Sequence, residues 1–430
     1  MKLQVGELHT LTILNNFQFM KTLLFVFGTR PEAIKTAPVI LKAMKDPRYR
    51  VLVCSTGQHR EMIRPLFDFF GIKPDFDLDL MRPGQSLIDI STGVMSGLNR
   101  ILLENKVDAV VVQGDTTSGF IGSLVAFYHK VQVVHIEAGL RSGDILSPFP
   151  EEFNRKGTAL ISNVHLAPTE TAKENLLREN YPEENVFVTG NTGIDALFEV
   201  KRKIHATPAL ESEFDGKYSF LNPQRKMILV TVHRRESFGA PMEEVMKGLL
   251  ELSRRSDIEL LIPLHMNPQV RTSAAKIFGN QAQWVDKGNF LNPENKIWLC
   301  EPVDYVPFIY LMDRAHMIIT DSGGVQEEAP SLGKPILVAR EKTERPEAIV
   351  AGTSRLIPLE QKNFVRVATE VLDTPEIYNR MSQAKNPFGD GFASEKILDI
   401  LVTKLSEGIP EVRSHNFPRV AETALSSAPL

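Results

Sequence analysis

Residues 317–338, MIITDSGGVQEEAPSLGKPILV, decide the fold that we predict for this chain. They read as an apolar strand, a sharp turn, a short helix and a second strand, which is the order of a βαβ unit. The turn is formed by Asp321, Ser322, Gly323 and Gly324, and its small residues let the backbone approach a ligand closely. Because the first turn of a helix has free N–H groups and the positive end of the dipole, we predict a phosphate site here.

Two carboxylates follow this turn. Glu327 and Glu328 lie about one helical turn beyond Gly324, so one of them can face the same ligand. A carboxylate at that position can accept hydrogen bonds from a ribose diol. An ordinary strand-to-helix turn explains the segment equally well when it is taken alone, so the function has to be argued from the rest of the chain.

The bulk composition excludes several classes of protein. A chain of 430 residues is too long for one ordinary core, and 43% hydrophobic with 24% charged residues is typical of a globular protein. The formal net charge of −4 gives no electrostatic reason to expect nucleic acid or an anionic membrane as a partner. No apolar run reaches the roughly 18–20 residues that span a bilayer. Cys54 and Cys300 lie in apolar, strand-like runs, which indicates buried thiols in a reducing cytoplasm.

Short apolar runs alternate with helical segments along most of the chain, which predicts βα units and parallel sheets. The alternation breaks near residues 191–223 and then restarts, so we predict an α/β protein with two doubly wound, Rossmann-like domains facing a cleft. Met20 stands directly before the first strand, and we expect the residues before it to be dispensable. The predicted divisions are a leader (1–19), an N-terminal domain (20–193), a C-terminal domain (194–385), a closing helical segment (386–408) and a flexible tail (409–430).

The first strand ends in a run that contains two cations. Thr29 and Glu32 fit a capping box, and Pro31 fits the first turn of a helix. These structural explanations leave Arg30 and Lys35 unexplained. Ligands of open α/β sheets bind at the carboxyl ends of the strands, so both cations suit a phosphate or carboxylate there. A solvated basic face is the alternative.

Three carboxylates follow later strands of the same predicted domain. Asp115 comes after AVVVQG and could simply cap the next helix. Glu137 follows the next strand and has less structural reason to be there. Glu151 opens a helix after a proline-rich turn, where the helix dipole favours an acid. Three acids at one edge of a sheet are more than helix capping requires.

Two histidines end strands of the second predicted domain. His233 and His265 can change charge near neutral pH and donate a proton, although a structural histidine is the commoner case. The sequence has no G-x-G-x-x-G, no G-x-x-x-x-G-K-[ST] and no H-E-x-x-H motif, and neither histidine has a partner at zinc spacing. We therefore predict no cofactor and no metal.

Taken together, the motifs resemble the non-hydrolysing UDP-N-acetylglucosamine 2-epimerases of bacteria. The resemblance covers residues 20 to about 393 and rests on GTRPEAIK, TGQHREM, QGDTTS, HIEAGLRSGD, SPFPEEFNR, HRRESFG, HMNP, DYVPF, DSGGVQEE and ERPEA. It implies a GT-B-like fold, a homodimer, and interconversion of UDP-GlcNAc and UDP-ManNAc for surface polysaccharide synthesis.

The resemblance also implies a role for each candidate residue. The catalytic carboxylates would be Asp115, Glu137 and Glu151, and the reaction would eliminate UDP and add it back to 2-acetamidoglucal. His233 would steady or protonate the departing pyrophosphate. The substrate-binding residues would be Arg30 and Lys35 for the pyrophosphate, Ser322, Gly323 and Gly324 for phosphate, Glu328 for the ribose, Phe308 for the uracil and Arg345 for a phosphate or the sugar. Which acid removes the proton in each direction stays open.

Some members of that family bind a second UDP-GlcNAc as an activator. The residues that match are Gln58, His59, Arg60 and His265, but Glu61 stands where glutamine is expected. The competing functions are a hydrolysing epimerase that releases ManNAc and UDP, a retaining glycosyltransferase, and a nucleotide-sugar-binding regulator without catalysis. The accepted sugar substituents also stay open, because related enzymes act on diacetamido and uronic acid derivatives.

Overall fold

The computed structural model describes residues 20–58, 60–82, 84–234, 238–285 and 292–407. Within these ranges the chain forms two seven-stranded sheets, and every pair of neighbouring strands is parallel. The central strands are buried on both faces, which explains why they read as continuous apolar runs. The predicted leader and the whole of the predicted tail lie outside the described residues.

The first sheet uses the N-terminal strands in the order β3-β2-β1-β4-β5-β6-β7. These strands are β1 (Lys21–Phe27), β2 (Tyr49–Ser55), β3 (Phe76–Asp77), β4 (Ala109–Gln113), β5 (Gln132–Ile136), β6 (Val164–Ala167) and β7 (Val186–Val188). The helices of this half are α1 (Arg30–Ala43), α2 (Arg60–Phe70), α3 (Leu87–Glu104), α4 (Thr117–Tyr128), α5 (Glu151–Ile161), α6 (Glu170–Arg178) and α7 (Thr192–Ala206).

The second sheet has the order β10-β11-β9-β8-β12-β13-β14. Its strands are β8 (Lys226–Thr231), β9 (Ile258–Pro263), β10 (Gln283–Trp284), β11 (Ile297–Cys300), β12 (Met317–Thr320), β13 (Ile336–Val338) and β14 (Ser354–Leu356). The helices are α8 (Pro208–Lys217), α9 (Ala240–Leu252), α10 (Pro268–Phe278), α11 (Tyr305–Arg314), α12 (Gly323–Glu328), α13 (Pro346–Val350), α14 (Gln361–Asp373), α15 (Pro375–Gln383) and α16 (Ala393–Lys404).

The predicted fold class is confirmed by these two doubly wound sheets. Twelve of the strands follow the predicted apolar runs, whereas β3 and β10 were missed because each has only two residues and no apolar run. Cys54 and Cys300 are free and buried, as predicted. The final helix, α16, packs back against α1 and α7 of the first half. The exact division of the chain into domains stays a prediction.

Each sheet has one point where the strand order reverses, and ligands of such folds bind in the crevice there. In the first sheet this point lies between β1 and β4, and in the second it lies between β8 and β12. Gly28 follows β1 at the first crevice, where a Cβ atom would lie 2.4 Å from Thr56 Oγ1. Only glycine fits there. The motifs in which the sequence predicts ligand-binding residues therefore lie at these two crevices.

The same described ranges contain neither a candidate membrane-spanning helix nor a candidate metal site. No helix among them is long and apolar enough to cross a membrane. No group of three or more His, Cys, Asp or Glu residues in these ranges is arranged to hold a metal ion.

Candidate active site

The loop after β1 is held in place by a buried carboxylate. Glu32 Oε2 accepts hydrogen bonds from the backbone N–H groups of Gly28 at 3.0 Å and Thr29 at 2.8 Å. Its other oxygen, Oε1, accepts from Thr116 Oγ1 at 2.6 Å. Burial raises the pKa of Glu32, and these hydrogen bonds oppose that shift. Glu32 thus confirms the predicted capping box and also joins the loops after β1 and β4.

The neighbouring Arg30 lies close to Asp304 of the second half, with its Nη1 atom 3.9 Å from Asp304 Oδ1.

Glu137 lies in a dense group of polar side chains at the end of β5. Its carboxylate forms an ion pair with Lys35, and Oε2 accepts a hydrogen bond from Gln113 Nε2 at 2.7 Å. Burial raises the pKa of Glu137, while Lys35 opposes that shift and Glu327 adds to it. The backbone of Glu137 has φ +64°, in the left-handed region that non-glycine residues rarely adopt. Such strain is typical of functional sites.

Asp115 does not cap the helix that follows it. Thr116 is the N-cap of α4 and accepts a hydrogen bond from the Gly119 N–H at 3.0 Å. The capping interpretation of Asp115 is therefore wrong. Its Oδ2 instead lies 2.6 Å from Arg155 Nη2, and its carbonyl accepts from Asn154 Nδ2 at 2.9 Å. Sequence reasoning missed both partners, although they stand in the quoted SPFPEEFNR motif.

The two acids that open α5 have different environments. Glu152 is fully buried and is occupied by hydrogen bonds from the Ser142 N–H at 3.0 Å and Arg155 Nη1 at 3.0 Å. The Oε2 atom of Glu151 is also buried but has no hydrogen-bond partner. Glu152 is thus explained by the fold, whereas Glu151 has a carboxylate oxygen that no hydrogen bond from the described residues explains.

The second crevice centres on a buried aspartate between two histidines and the glycine turn. Asp321 Oδ2 accepts hydrogen bonds from the backbone N–H groups of His233 at 2.6 Å and Arg234 at 2.7 Å. Asp321 Oδ1 lies 3.4 Å from His233 Nδ1. The rings of His233 and His265 stack, with centroids 5.0 Å apart and planes 8° apart. Burial lowers the pKa of His233; Asp321 opposes this shift, and His265 adds to it.

The predicted phosphate turn lies at the start of α12. Ser322 is the N-cap residue, and its N–H donates to Thr320 Oγ1 at 3.0 Å. Gly323 lies beside Arg345, because a Cβ atom there would be 3.5 Å from Arg345 Nη2. Gly324 is exposed, and nothing lies within 4 Å of where its Cβ would be. The turn therefore leaves room for a ligand next to a guanidinium group.

Glu327 and Glu328 have distinct positions. Glu327 forms an ion pair with Arg345 and accepts a hydrogen bond from Asn191 Nδ2 at 2.7 Å. Among the described residues Glu328 has no ion pair and no side-chain hydrogen bond, and burial, with a smaller contribution from Glu327, raises its pKa to about 8. Of the two carboxylates, Glu327 is engaged in joining the two halves. Glu328 is the better placed to accept a new hydrogen bond.

The two crevices meet at one cluster of charges. Burial lowers the pKa of Lys35, but Glu137 and Glu327 more than offset this, so the pKa is raised. A cavity in the same region is lined by residues from both halves, among them Glu137, Asn191, Glu327 and Arg345. The structure thus brings predicted residues of the first half together with those of the second.

The remaining predicted residues are more scattered. Phe308 packs as a partly buried side chain against the core. Nearby in the sequence, Tyr305 has a buried hydroxyl without a hydrogen-bond partner, and burial raises its pKa well above the ordinary value. Sequence reasoning did not single out Tyr305.

The predicted activator residues are not joined in the structure. Gln58 Oε1 accepts from Ser118 Oγ at 3.4 Å, and Arg60 pairs with Asp77 at 3.1 Å. No hydrogen bond or ion pair in the described ranges links Gln58 or Arg60 to His265. His59 lies outside the described residues.

Two facing doubly wound sheets, with acids and cations at the first crevice and a histidine and glycine turn at the second, define a GT-B-like protein. The family described as UDP-N-acetylglucosamine 2-epimerase matches residues 42–402. The chain belongs to this family, which confirms the resemblance stated above and the prediction of an epimerase.

Individual relatives agree with this assignment. The UDP-N-acetylglucosamine 2-epimerase of Escherichia coli O157:H7 is 47% identical over 379 residues, covering 88% of this chain and 97% of the relative. The enzyme of the same name from Bacillus subtilis (strain 168) is 45% identical over 378 residues, covering 88% and 94%. The crystal structure of UDP-GlcNAc 2-epimerase from Neisseria meningitidis bound to UDP-GlcNAc has a TM-score of 0.77 and 44% identity, covering 89% of this chain and 100% of that one.

Proposed function

We propose that the protein interconverts UDP-GlcNAc and UDP-ManNAc without net hydrolysis, in the cytoplasm, and supplies surface polysaccharide synthesis. The observation that carries this proposal is the meeting of acids and cations from both halves at one site, where Lys35 pairs with Glu137 and Arg345 pairs with Glu327. The buried, free cysteines support a reducing compartment.

The chemistry needs both kinds of group. The proton on carbon 2 of the sugar has no neighbouring carbonyl and is not acidic, so a base alone cannot remove it easily. If the bond from carbon 1 to the UDP oxygen breaks as the proton leaves, the electron pair of the C–H bond forms the double bond of 2-acetamidoglucal. A proton then returns to the opposite face of carbon 2, and UDP adds back to carbon 1.

We assign the acid and base work to the first crevice. Asp115, Glu137 and Glu151 lie at the ends of strands or at the start of α5, and each is a carboxylate that the ordinary fold does not explain. Groups placed on both sides of a sugar ring can take a proton from one face and return one to the other.

We assign the nucleotide to the second crevice. The diphosphate would lie against Ser322, Gly323 and Gly324, and the ribose would be bound by Glu328. His233 would steady the departing diphosphate, and it lies at the same edge of the sheet because β8 and β12 are neighbours. Preorganised donors at developing negative charge are worth about 3–4 kcal/mol each in catalysis.

Three cations complete the diphosphate site in this proposal. Arg30 and Lys35 both lie on α1 of the first half, and Arg345 directly precedes α13 of the second. Their charges oppose the negative charge that builds up on UDP as it leaves.

An NMR time course with UDP-GlcNAc in deuterated water tests the proposal. We expect UDP-ManNAc to form with solvent deuterium at carbon 2 and no lasting accumulation of UDP. Stoichiometric UDP with free ManNAc would instead identify a hydrolysing epimerase. An unchanged spectrum that responds only to an added acceptor would identify a glycosyltransferase, and binding without any turnover would identify a regulator.

We further propose that the protein is a homodimer. The neighbouring helices α3, α4 and α5 pack on each other and carry large apolar side chains that are unusually exposed, among them Leu103 at 71%, Tyr128 at 66% and Leu160 at 75%. Monomers rarely keep so much apolar surface in water, so a second copy of the chain is the occupant that we infer.

Changing Leu160 to glutamate is expected to convert the dimer into a monomer, because a charge would be buried in an apolar interface. Light scattering coupled to gel filtration should then give a mass near the 48.2 kDa of one chain instead of twice that value. The matched control is Val350→Glu, which changes an even more exposed apolar residue of the second half and should leave the dimer intact. A monomeric unsubstituted protein would refute the proposal.

Activation by a second UDP-GlcNAc is proposed from Gln58, His59, Arg60 and His265. The stacking of His265 on His233 gives the activator residue a direct contact with the diphosphate histidine. We expect a sigmoidal rate curve for UDP-GlcNAc and slow turnover of UDP-ManNAc until UDP-GlcNAc is added. A hyperbolic curve, together with full-speed turnover of UDP-ManNAc alone, would contradict activation.

A further inference from the structure

Asp321 is a buried carboxylate of the second crevice that the proposed function does not use. Its side chain is fully buried at the end of β12, directly before the glycine turn. A buried carboxylate is costly unless it is hydrogen-bonded or paired with a charge. The contacts of the Asp321 carboxylate therefore indicate its role.

The two oxygens of Asp321 face different parts of the same histidine. Oδ2 accepts the backbone N–H groups of His233 and Arg234, which fixes the carboxylate against the end of β8. Oδ1 is buried and has no hydrogen-bond partner, yet it lies 3.4 Å from His233 Nδ1. A shift of a few tenths of an ångström would turn this approach into a hydrogen bond.

We propose that Asp321 is a positioning residue that holds the His233 ring with Nδ1–H directed at Oδ1, so that Nε2 is presented to the diphosphate. The role of His233 rests on the proposed function, but its tautomer does not. A carboxylate behind a histidine selects the tautomer of the ring and stabilises its protonated form, as in serine proteases.

The groups around the ring explain how it would respond to a ligand. Among the described residues, Asp321 faces the ring from β12, His265 from the end of β9, and Arg234 follows it in the chain. Burial, His265 and Arg234 favour the neutral ring, and Asp321 alone of these favours the charged one. The neutral ring carries its proton on Nδ1 and takes up a second proton on Nε2 when the negative diphosphate arrives. Only the doubly protonated ring can donate to both Asp321 and the diphosphate.

The experiment is ¹⁵N NMR of histidine-labelled protein, with the His233 signals assigned by their loss in His233→Asn. We expect the free, unsubstituted protein to carry the neutral His233 proton on Nδ1. In Asp321→Asn the amide NH₂ group would face Nδ1, because the amide oxygen is needed for the two backbone N–H groups. The proton should therefore move to Nε2.

The same variant should lose turnover more than binding. We expect kcat to fall by about 10- to 100-fold, less than the roughly 10⁴-fold loss in a serine protease, because His233 assists a leaving group and takes no proton from a nucleophile. KM should change by less than about threefold if the ring is misdirected only in the transition state. The control is Asp257→Asn, the same change next to the opposite end of β9, which should alter neither the tautomer nor kcat.

The results separate this inference from the proposed function. A Nε2–H ring in the free, unsubstituted protein would overturn the inference, and so would an Asp321→Asn protein that folds and keeps the Nδ1–H tautomer. If Asp321→Asn does not fold, the spectrum of the unsubstituted protein still decides the tautomer. Absence of epimerisation by the unsubstituted protein would refute the proposed function and leave the assignment of the tautomer standing.

Discussion

Replacing Glu137 with glutamine is expected to lower kcat for epimerisation by about 10²- to 10⁴-fold, the range that general acid–base groups contribute. Glutamine has nearly the same shape and can still accept a hydrogen bond from Gln113, but it cannot take up a proton and has no charge to pair with Lys35. The measurement is the initial rate of UDP-ManNAc formation at saturating UDP-GlcNAc, together with KM.

The matched control for this prediction is Glu199→Gln. Glu199 lies on α7 and also forms an ion pair, with Arg202 at 2.7 Å, but this pair is away from both crevices. The control also removes the charge of a paired glutamate, but its partner Arg202 is exposed, and neither residue is assigned a role in the reaction, so kcat should be unchanged. If Glu137→Gln kept a third or more of the activity, Glu137 would have no part in moving the proton, and the charge cluster would serve only to hold the two halves together.

The fold and the strand-end candidates were predictable because their signals are local. A strand buried on both faces needs an apolar run, and the residues that follow it reach the ligand-binding edge whatever the rest of the chain does. This reasoning found Glu137 and His233 without any knowledge of their neighbours. It also found the turn at Ser322, since the order of strand, turn and helix is written in consecutive residues.

The partners of these residues were not predictable in the same way. Glu327 contacts Asn191, which is 136 residues away in sequence, and no local pattern records that contact. The sequence could not decide between Glu327 and Glu328 for the same reason. Asp321 looked like part of a turn, because its contacts with the backbone of His233 and Arg234 depend on how β8 and β12 are placed side by side.

The interpretation of Asp115 as a helix N-cap was wrong for a physical reason as well. Asp and Thr are both good N-cap residues, and two candidates in succession leave the choice to the backbone. Thr116 takes the cap, and its hydroxyl also donates to the buried Glu32. Asp115 is then free to meet Arg155, which comes from a helix that begins 36 residues later.

Replacing Asp115 with asparagine is the second change from which we expect a large loss, of about 10²-fold or more in kcat. Asparagine keeps the shape of the side chain but removes the charge opposite Arg155 and the capacity to carry a proton. Arg155 also donates to Glu152, so it ties the Asp115 loop to the start of α5, where Glu151 lies. Asp115 and Arg155 should therefore act as one unit.

A double-mutant cycle with Arg155→Met tests whether Asp115 and Arg155 act as one unit. Residues that act together are strongly non-additive, so the double variant should be scarcely slower than Asp115→Asn alone. Rates would be compared at saturating UDP-GlcNAc, with thermal unfolding of each variant as the check that the fold is kept. If the double variant instead lost activity by the product of the two single losses, Arg155 would act on the substrate independently of Asp115. Each side chain would then contact the sugar nucleotide separately during the reaction, and the ion pair between them would not persist.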